Sequence, residues 1–384
     1  MTAKGLCILS SVAAGCVCTG VACGPPTSAP SGTARPVNVP SATLPWIGRG
    51  GGFREWGCGG TYIYGSSAEP EILDVWEWEN HTLVKRHEFP VQNCAHPAWA
   101  LNGRCFFAAV KGAKYEPYHF YIVETKEDRA TQCRVPDGWY VKLTQPSSNG
   151  VHVAVCLIED AGEHAPPDAN WDHPRLRAGV VGPNATDVDW VGTLAGRHSG
   201  STDPLRSVVP SNDGAHIAIA GLDNGVAMVD TAARMQTWFK QPAGEASLFY
   251  AAFAPDSKIV YTGGTMAAVY AMDVESGTEL GRWYASPTGK AEYGHRISCL
   301  AVSPDGKWVA AGTGPEGLVF VGSTATNKLV KVLDHGGSTV LLVHFSPDSK
   351  ALASFVPGTL KIWGVSMWDS SQTSTVPVST SPAE

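Results

Sequence analysis

The chain has 384 residues, of which 16% are charged, well below the usual quarter, and 42 are glycine. The net charge of −7 carries no long run of lysine and arginine, so a nucleic-acid partner is excluded on electrostatic grounds. That composition suits many short strands joined by tight turns.

Residues 5–24 read GLCILSSVAAGCVCTGVACG after Lys4, an apolar core of signal-peptide length ending in small residues. The stretch is too rich in Gly and Ser for a membrane span. Ala13-Ala14-Gly15-Cys16 resembles a bacterial lipobox, which implies cleavage before Cys16 and lipidation of its thiol; export with cleavage elsewhere, for instance after Ala22, is the plainer alternative. Residues 1–24 are therefore expected to be an export signal of lipoprotein type. Contact with a membrane is expected through that anchor alone, with the body at the bacterial cell envelope. Residues 25–46 follow as a Pro/Ser-rich tether, and 367–384 as a disordered polar tail.

Between them the text repeats. Ser303-Pro304-Asp305-Gly306 returns as Ser346-Pro347-Asp348-Ser349, 43 residues later. The same grammar appears at Ala254-Pro255-Asp256-Ser257 and at Pro210-Ser211-Asn212-Asp213-Gly214, and more faintly at Gln145–Gly150 and Leu101–Gly103. Each time a β-branched or aromatic run precedes the turn, the polar residues close a hairpin, and a second apolar run follows, as in HIAIA and WVAAG. A period of 40–45 residues is that of a four-stranded propeller blade.

The units fall at 47–90, 91–134, 135–200, 201–242, 243–288, 289–333 and 334–366. The expected fold is all-β: a seven-bladed β-propeller of four-stranded antiparallel blades over 47–366. The last unit shows only three strands. Its fourth is expected either from the N-terminal side, near Arg35 to Trp46, or from 367–371.

The SPDG-type turns, Gly294-His295 ahead of ISCLAVSPDG, and Lys361-Ile362-Trp363 resemble the WD-repeat propeller family, most clearly over 205–366. The Trp-Asp dipeptide is absent; its places hold Met272-Asp273, Val229-Asp230, Gly322-Ser323 and Trp363-Gly364. The resemblance implies a platform for a protein or peptide rather than an enzyme, and structural roles for His295, Asp305, Asp348 and Trp363. It also implies that His335 and His344 cap strands by hydrogen bonding. The tryptophans at 76, 78, 99, 139, 308 and 363 are expected to fill the wedges between blades.

The third unit is longer than the others, with an insertion at 159–200. Its loop carries Asp160, Glu163, His164, Asp168, Trp171 and His173, the candidate partner-contact residues. Their spacing matches no defined metal motif, and no cofactor is expected. No GxSxG, HExxH or GxxxxGK[ST] signature occurs, and no catalytic residue is assigned. The alternative is a propeller enzyme or cofactor or metal carrier, quinoprotein- or lactonase-like, with a site at the channel mouth; a purely structural surface protein is the third reading. Six body cysteines allow fifteen pairings, with Cys94 to Cys105 or Cys133 as the favoured local bridge.

Overall fold

A computed structural model describes residues 42–45, 53–56, 62–66, 72–79, 82–90, 94–100, 104–109, 119–124, 129–159, 175–194, 205–241, 247–290, 296–314, 316–346, 348–357, 359–365 and 368. The expected export signal with Cys16, the tail apart from Trp368, the loop residues Asp160 to His173, and His295 lie outside them; Trp368 is buried, edge-on to the Trp308 and Phe345 rings.

Strand β1 is Ala42–Pro45. Then come β2 (Phe53–Trp56), β3 (Tyr62–Ser66), β4 (Ile72–Glu79) and β5 (Thr82–Pro90), followed by β6 (Cys94–Ala100), β7 (Arg104–Ala109), β8 (His119–Glu124) and β9 (Arg129–Cys133). Strands β10 (Trp139–Pro146), β11 (Val153–Glu159), β12 (Leu176–Val181) and β13 (Asp189–Leu194) form the next group. After them run β14 (Ser207–Pro210), β15 (His216–Leu222), β16 (Gly225–Asp230) and β17 (Met235–Lys240), then β18 (Leu248–Phe253), β19 (Ile259–Gly264), β20 (Ala268–Asp273) and β21 (Glu279–Tyr284). Strands β22 (Arg296–Val302), β23 (Trp308–Gly314), β24 (Leu318–Ser323) and β25 (Lys328–Asp334) precede β26 (Leu342–Phe345), β27 (Ala351–Val356) and β28 (Thr359–Gly364).

Each group of four is an antiparallel meander in chain order. The chain is thus all-β, built from four-stranded sheets in the manner of propeller blades. The last group has three strands of its own, and β1 supplies the fourth, with Ala42 opposite Ile362 and Pro45 opposite Thr359. Of the two sources open in the sequence, the N-terminal side is the one used.

From β10 to β25 the sheets stack because both of their faces are apolar. On β15, Ile217 and Ile219 pack with Ala154 and Cys156 of the preceding sheet, while Ala218 and Ala220 pack with Phe253 and Val260 of the following one. The same alternation places Tyr261 and Val269 against Ile297 and Phe320, and Trp308 and Val321 against Phe345 and Trp363. No sheet can bury both faces alone, so each is held by its neighbours.

Two expectations need correction. Within 159–200, β12 and β13 are ordinary strands of their sheet, so the insertion is not one continuous loop, and its connection 160–174 joins β11 to β12. The favoured cysteine bridge is also excluded by register. Cys94 is on β6 and Cys133 on β9, opposite edges of one sheet, roughly 14 Å apart at the usual strand spacing. Cys94 pairs with Ala109 while Cys105 pairs with Trp99, a comparable separation along the strands. Both exceed the reach of a disulfide. Cys133 is buried instead, its thiol donating to the Thr186 carbonyl.

The place where the family's dipeptide would put Trp holds Gly322 for a steric reason. A Cβ there would meet the Trp283 ring of the preceding sheet at 2.5 Å.

Candidate functional site

The inner strand of each sheet runs between two different ends. At the far end it enters the polar turn leading to the second strand. There Ser303 Oγ donates to Asp305 Oδ1 at 2.6 Å, and the Trp308 N–H donates to Ser303 Oγ at 3.0 Å. Lys307 N–H also donates to Asp305 Oδ1, at 3.2 Å. Ser346, Asp348, Lys350 and Ala351 repeat the arrangement, as do Ser211, Asp213, Ala215 and His216. A short polar side chain at two fixed positions is what the turn requires, which is why the motif was visible in the text. Partial burial pulls the Asp348 carboxyl upward, but the hydrogen bonds from Ser346 and Lys350 win and hold it below its ordinary value.

These turns also bond to one another. Asn149 N–H and Ser148 Oγ donate to Asn212 Oδ1, and Asn212 Nδ2 donates to the Pro255 carbonyl at 3.0 Å. Asp305 N–H donates to Ser349 Oγ at 2.9 Å. Just inside this belt lies a cavity of about 100 Å³, walled by the inner strands near Gln145, Phe253, Leu300, Pro304 and His344. Burial pushes the His344 imidazole down to about 4, although its Nδ1 donates to the Phe345 carbonyl.

The other end, where the inner strands begin, is irregular. Its hairpins include the Asp223-Asn224 turn, both residues at positive φ, and a short 3-10 turn at Thr265–Ala267 with Met266 and Ala267 also left-handed. The long connection 160–174 leaves from this same end, because Trp139, first in β10, lies opposite Glu159, last in β11. Its base is fixed by an ion pair: Glu159 is 2% exposed and its carboxylate accepts from the Arg175 guanidinium and the Arg175 N–H. Arg175 is two-fifths exposed, so one partner of the clamp is in the core and the other reaches solvent.

Of the residues singled out in the sequence, Asp305 and Asp348 occupy the polar turns, far from the loop end. Trp363 is 1% exposed, and its Nε1 donates to Ser354 Oγ at 2.8 Å. His335, 3% exposed, donates from Nε2 to the Ser354 carbonyl, leaving Nδ1 without a partner. A His–Ser–Trp arrangement is thus present in the last sheet.

Residues 288–321, which cover β22, β23 and most of β24, match the family described as WD40: WD domain, G-beta repeat. The chain carries a WD repeat. It is also similar to the Periodic tryptophan protein 2 homolog of Dictyostelium discoideum, 27% identical over 171 residues, or 44% of this chain. The match spans 18% of that relative's length. Among the described residues no group of three His, Cys, Asp or Glu side chains could hold a metal ion.

Proposed function

We propose that the sheets close as a seven-bladed propeller serving as a non-enzymatic scaffold for a protein or peptide at the bacterial cell envelope, held there by a lipid on Cys16. The observation that carries the binding role is the WD repeat at 288–321, set among like sheets, since such repeats commonly mediate protein–protein contact. Closure is supported by the inner strands: β10 packs beside β6 and β14, β18 beside β14 and β22, and β26 beside β22 and β2, while β2 also meets β6. The leader and lipobox-like sequence support the location.

The partner docks on the end that carries 160–174. The opposite end spends its polar groups on bonding turn to turn, whereas the Glu159–Arg175 clamp holds the base of a long polar connection at the rim. Asp160, Glu163, His164, Asp168, Trp171 and His173 supply its contacts. The test is cross-linked capture from a membrane extract with the full chain and with a variant in which 161–173 is replaced by a two-glycine turn. The reading expects one partner enriched by the full chain and lost from the variant at unchanged melting temperature. Equal capture by both rejects it.

A further inference from the structure

Three residues on successive inner strands stand at the end where those strands begin. Arg206 immediately precedes β14 and its N–H donates to the Ala220 carbonyl, so it continues the strand pairing. Tyr250 lies on β18 beside Ala251, whose N–H reaches Ser207 Oγ at 3.4 Å, which sets Tyr250 level with Arg206. Arg296 opens β22; its neighbour Ile297 packs on Gly263, the residue opposite Tyr250. Both arginines are exposed and neither makes an ion pair with a described residue, while Tyr250 is half-buried between them.

The phenol registers both cations. Burial raises its pKa, Cys299 adds to that, and the charges of Arg206 and Arg296 pull it back. Two guanidinium groups without an ion pair to any described residue thus flank an aromatic ring on a chain of net charge −7. Guanidinium pairs with carboxylate in a planar two-bond geometry, and the ring gives the adjoining peptide an apolar surface.

We propose that Arg206, Tyr250 and Arg296 form the specificity site of the rim, taking a carboxylate side chain of an acidic peptide at the mouth of the central channel. This rests on the scaffold reading above and names the chemistry of its partner. It also places the anion site at the same end as 160–174, since Arg206 lies beside Ala220, near the Asp223-Asn224 turn.

The probe is fluorescein-labelled hexaglutamate, followed by polarisation at low salt with the full chain. The expected result is saturable binding, weakened about tenfold in the Arg206→Ala/Arg296→Ala double variant, because two charge-assisted contacts at a rim are removed. Hexaglutamine should not bind. Lys258→Ala/Lys350→Ala removes the same charge from the opposite end, where both lysines are exposed, and should leave binding intact. Equal weakening in both double variants would reduce the effect to net charge and overturn the site. So would the absence of hexaglutamate binding. Displacement by inorganic phosphate at lower concentration than by acetate overturns the carboxylate assignment in favour of a phosphate. None of these outcomes touches the loop-deletion capture: a partner lost with 161–173 but retained by the arginine double variant leaves the scaffold reading standing and removes this site alone.

Discussion

The two ends of the sheets are built on different principles. At one, four of the five described turns set a serine two residues before an aspartate or asparagine, Ala254-Pro255-Asp256-Ser257 being the exception, and three of the four neighbouring pairs of turns are hydrogen bonded. At the other, one hairpin has two residues, another a 3-10 turn, and a third runs through 160–174. The first end repeats because it fixes the angle between neighbours. The second differs from hairpin to hairpin because its bonds run through backbone groups, as from the Leu248 N–H to the Asn224 carbonyl, which any side chain can supply, so variation there costs little stability.

The sharpest way to break this contrast is to remove what closes the last sheet. Truncation of the chain to begin at Gly50 deletes β1 and leaves β28 as an open edge. The lost ladder and exposed edge should cost about 2–4 kcal/mol and lower the melting temperature measurably. An unchanged thermal transition would mean that β1 contributes no closure. Next in size is the polar turn. Ser303→Ala/Asp305→Ala removes the acceptors for Trp308 N–H and Lys307 N–H, one of them buried, and should cost about 2 kcal/mol in urea denaturation. If the loss is no larger than for a substitution at an exposed loop residue, the turns are not the locking end.

Acid should weaken the same last sheet. Burial lowers the pKa of both His335 and His344, the latter to about 4 from an ordinary value of 6.5. The unfolded chain then takes up protons before the folded one does. Their contribution to stability is complete above about 6.5 and is lost as pH falls toward 4. Urea midpoints measured from pH 7.5 to 4.5 should decline below 6.5, and His344→Leu should flatten that decline. A midpoint independent of pH in this window would show that neither imidazole resists protonation in the fold.

The locking end was legible in the sequence, and the other end was not. Ser-Pro-Asp-Gly recurs at 43 residues because the turn admits few side chains, so chemistry and spacing are tied together. The N-terminal closing strand was legible as a deficit, since the last unit had one strand too few. Arg206, Tyr250 and Arg296 stand 44 and 46 residues apart, in three repeats, with no shared motif. Only the stacking of three sheets brings them to one end. The signal that could have found them was positional: each lies at or near the start of an inner strand, one repeat from the next. The loop 160–174 was recognised, but its extent was overstated, because LRAGVV and DWVGTL alternate too weakly to be told from loop by pattern alone.

The smallest expected effect tests the permissive end directly. Asn224 has φ 62°, and with Asp223 at 43° it makes a two-residue hairpin turn of the kind that favours glycine. An L-residue pays about 1 kcal/mol for that conformation, partly relieved in asparagine by its short polar side chain. Asn224→Gly removes the steric cost in the folded chain but adds freedom to the unfolded one. The two nearly cancel, so urea denaturation should place the variant within about 0.5 kcal/mol of the parent. A loss approaching that of Ser303→Ala/Asp305→Ala would mean that the Asn224 side chain holds the turn in place. The two ends would then differ in sequence but not in how tightly they are fixed.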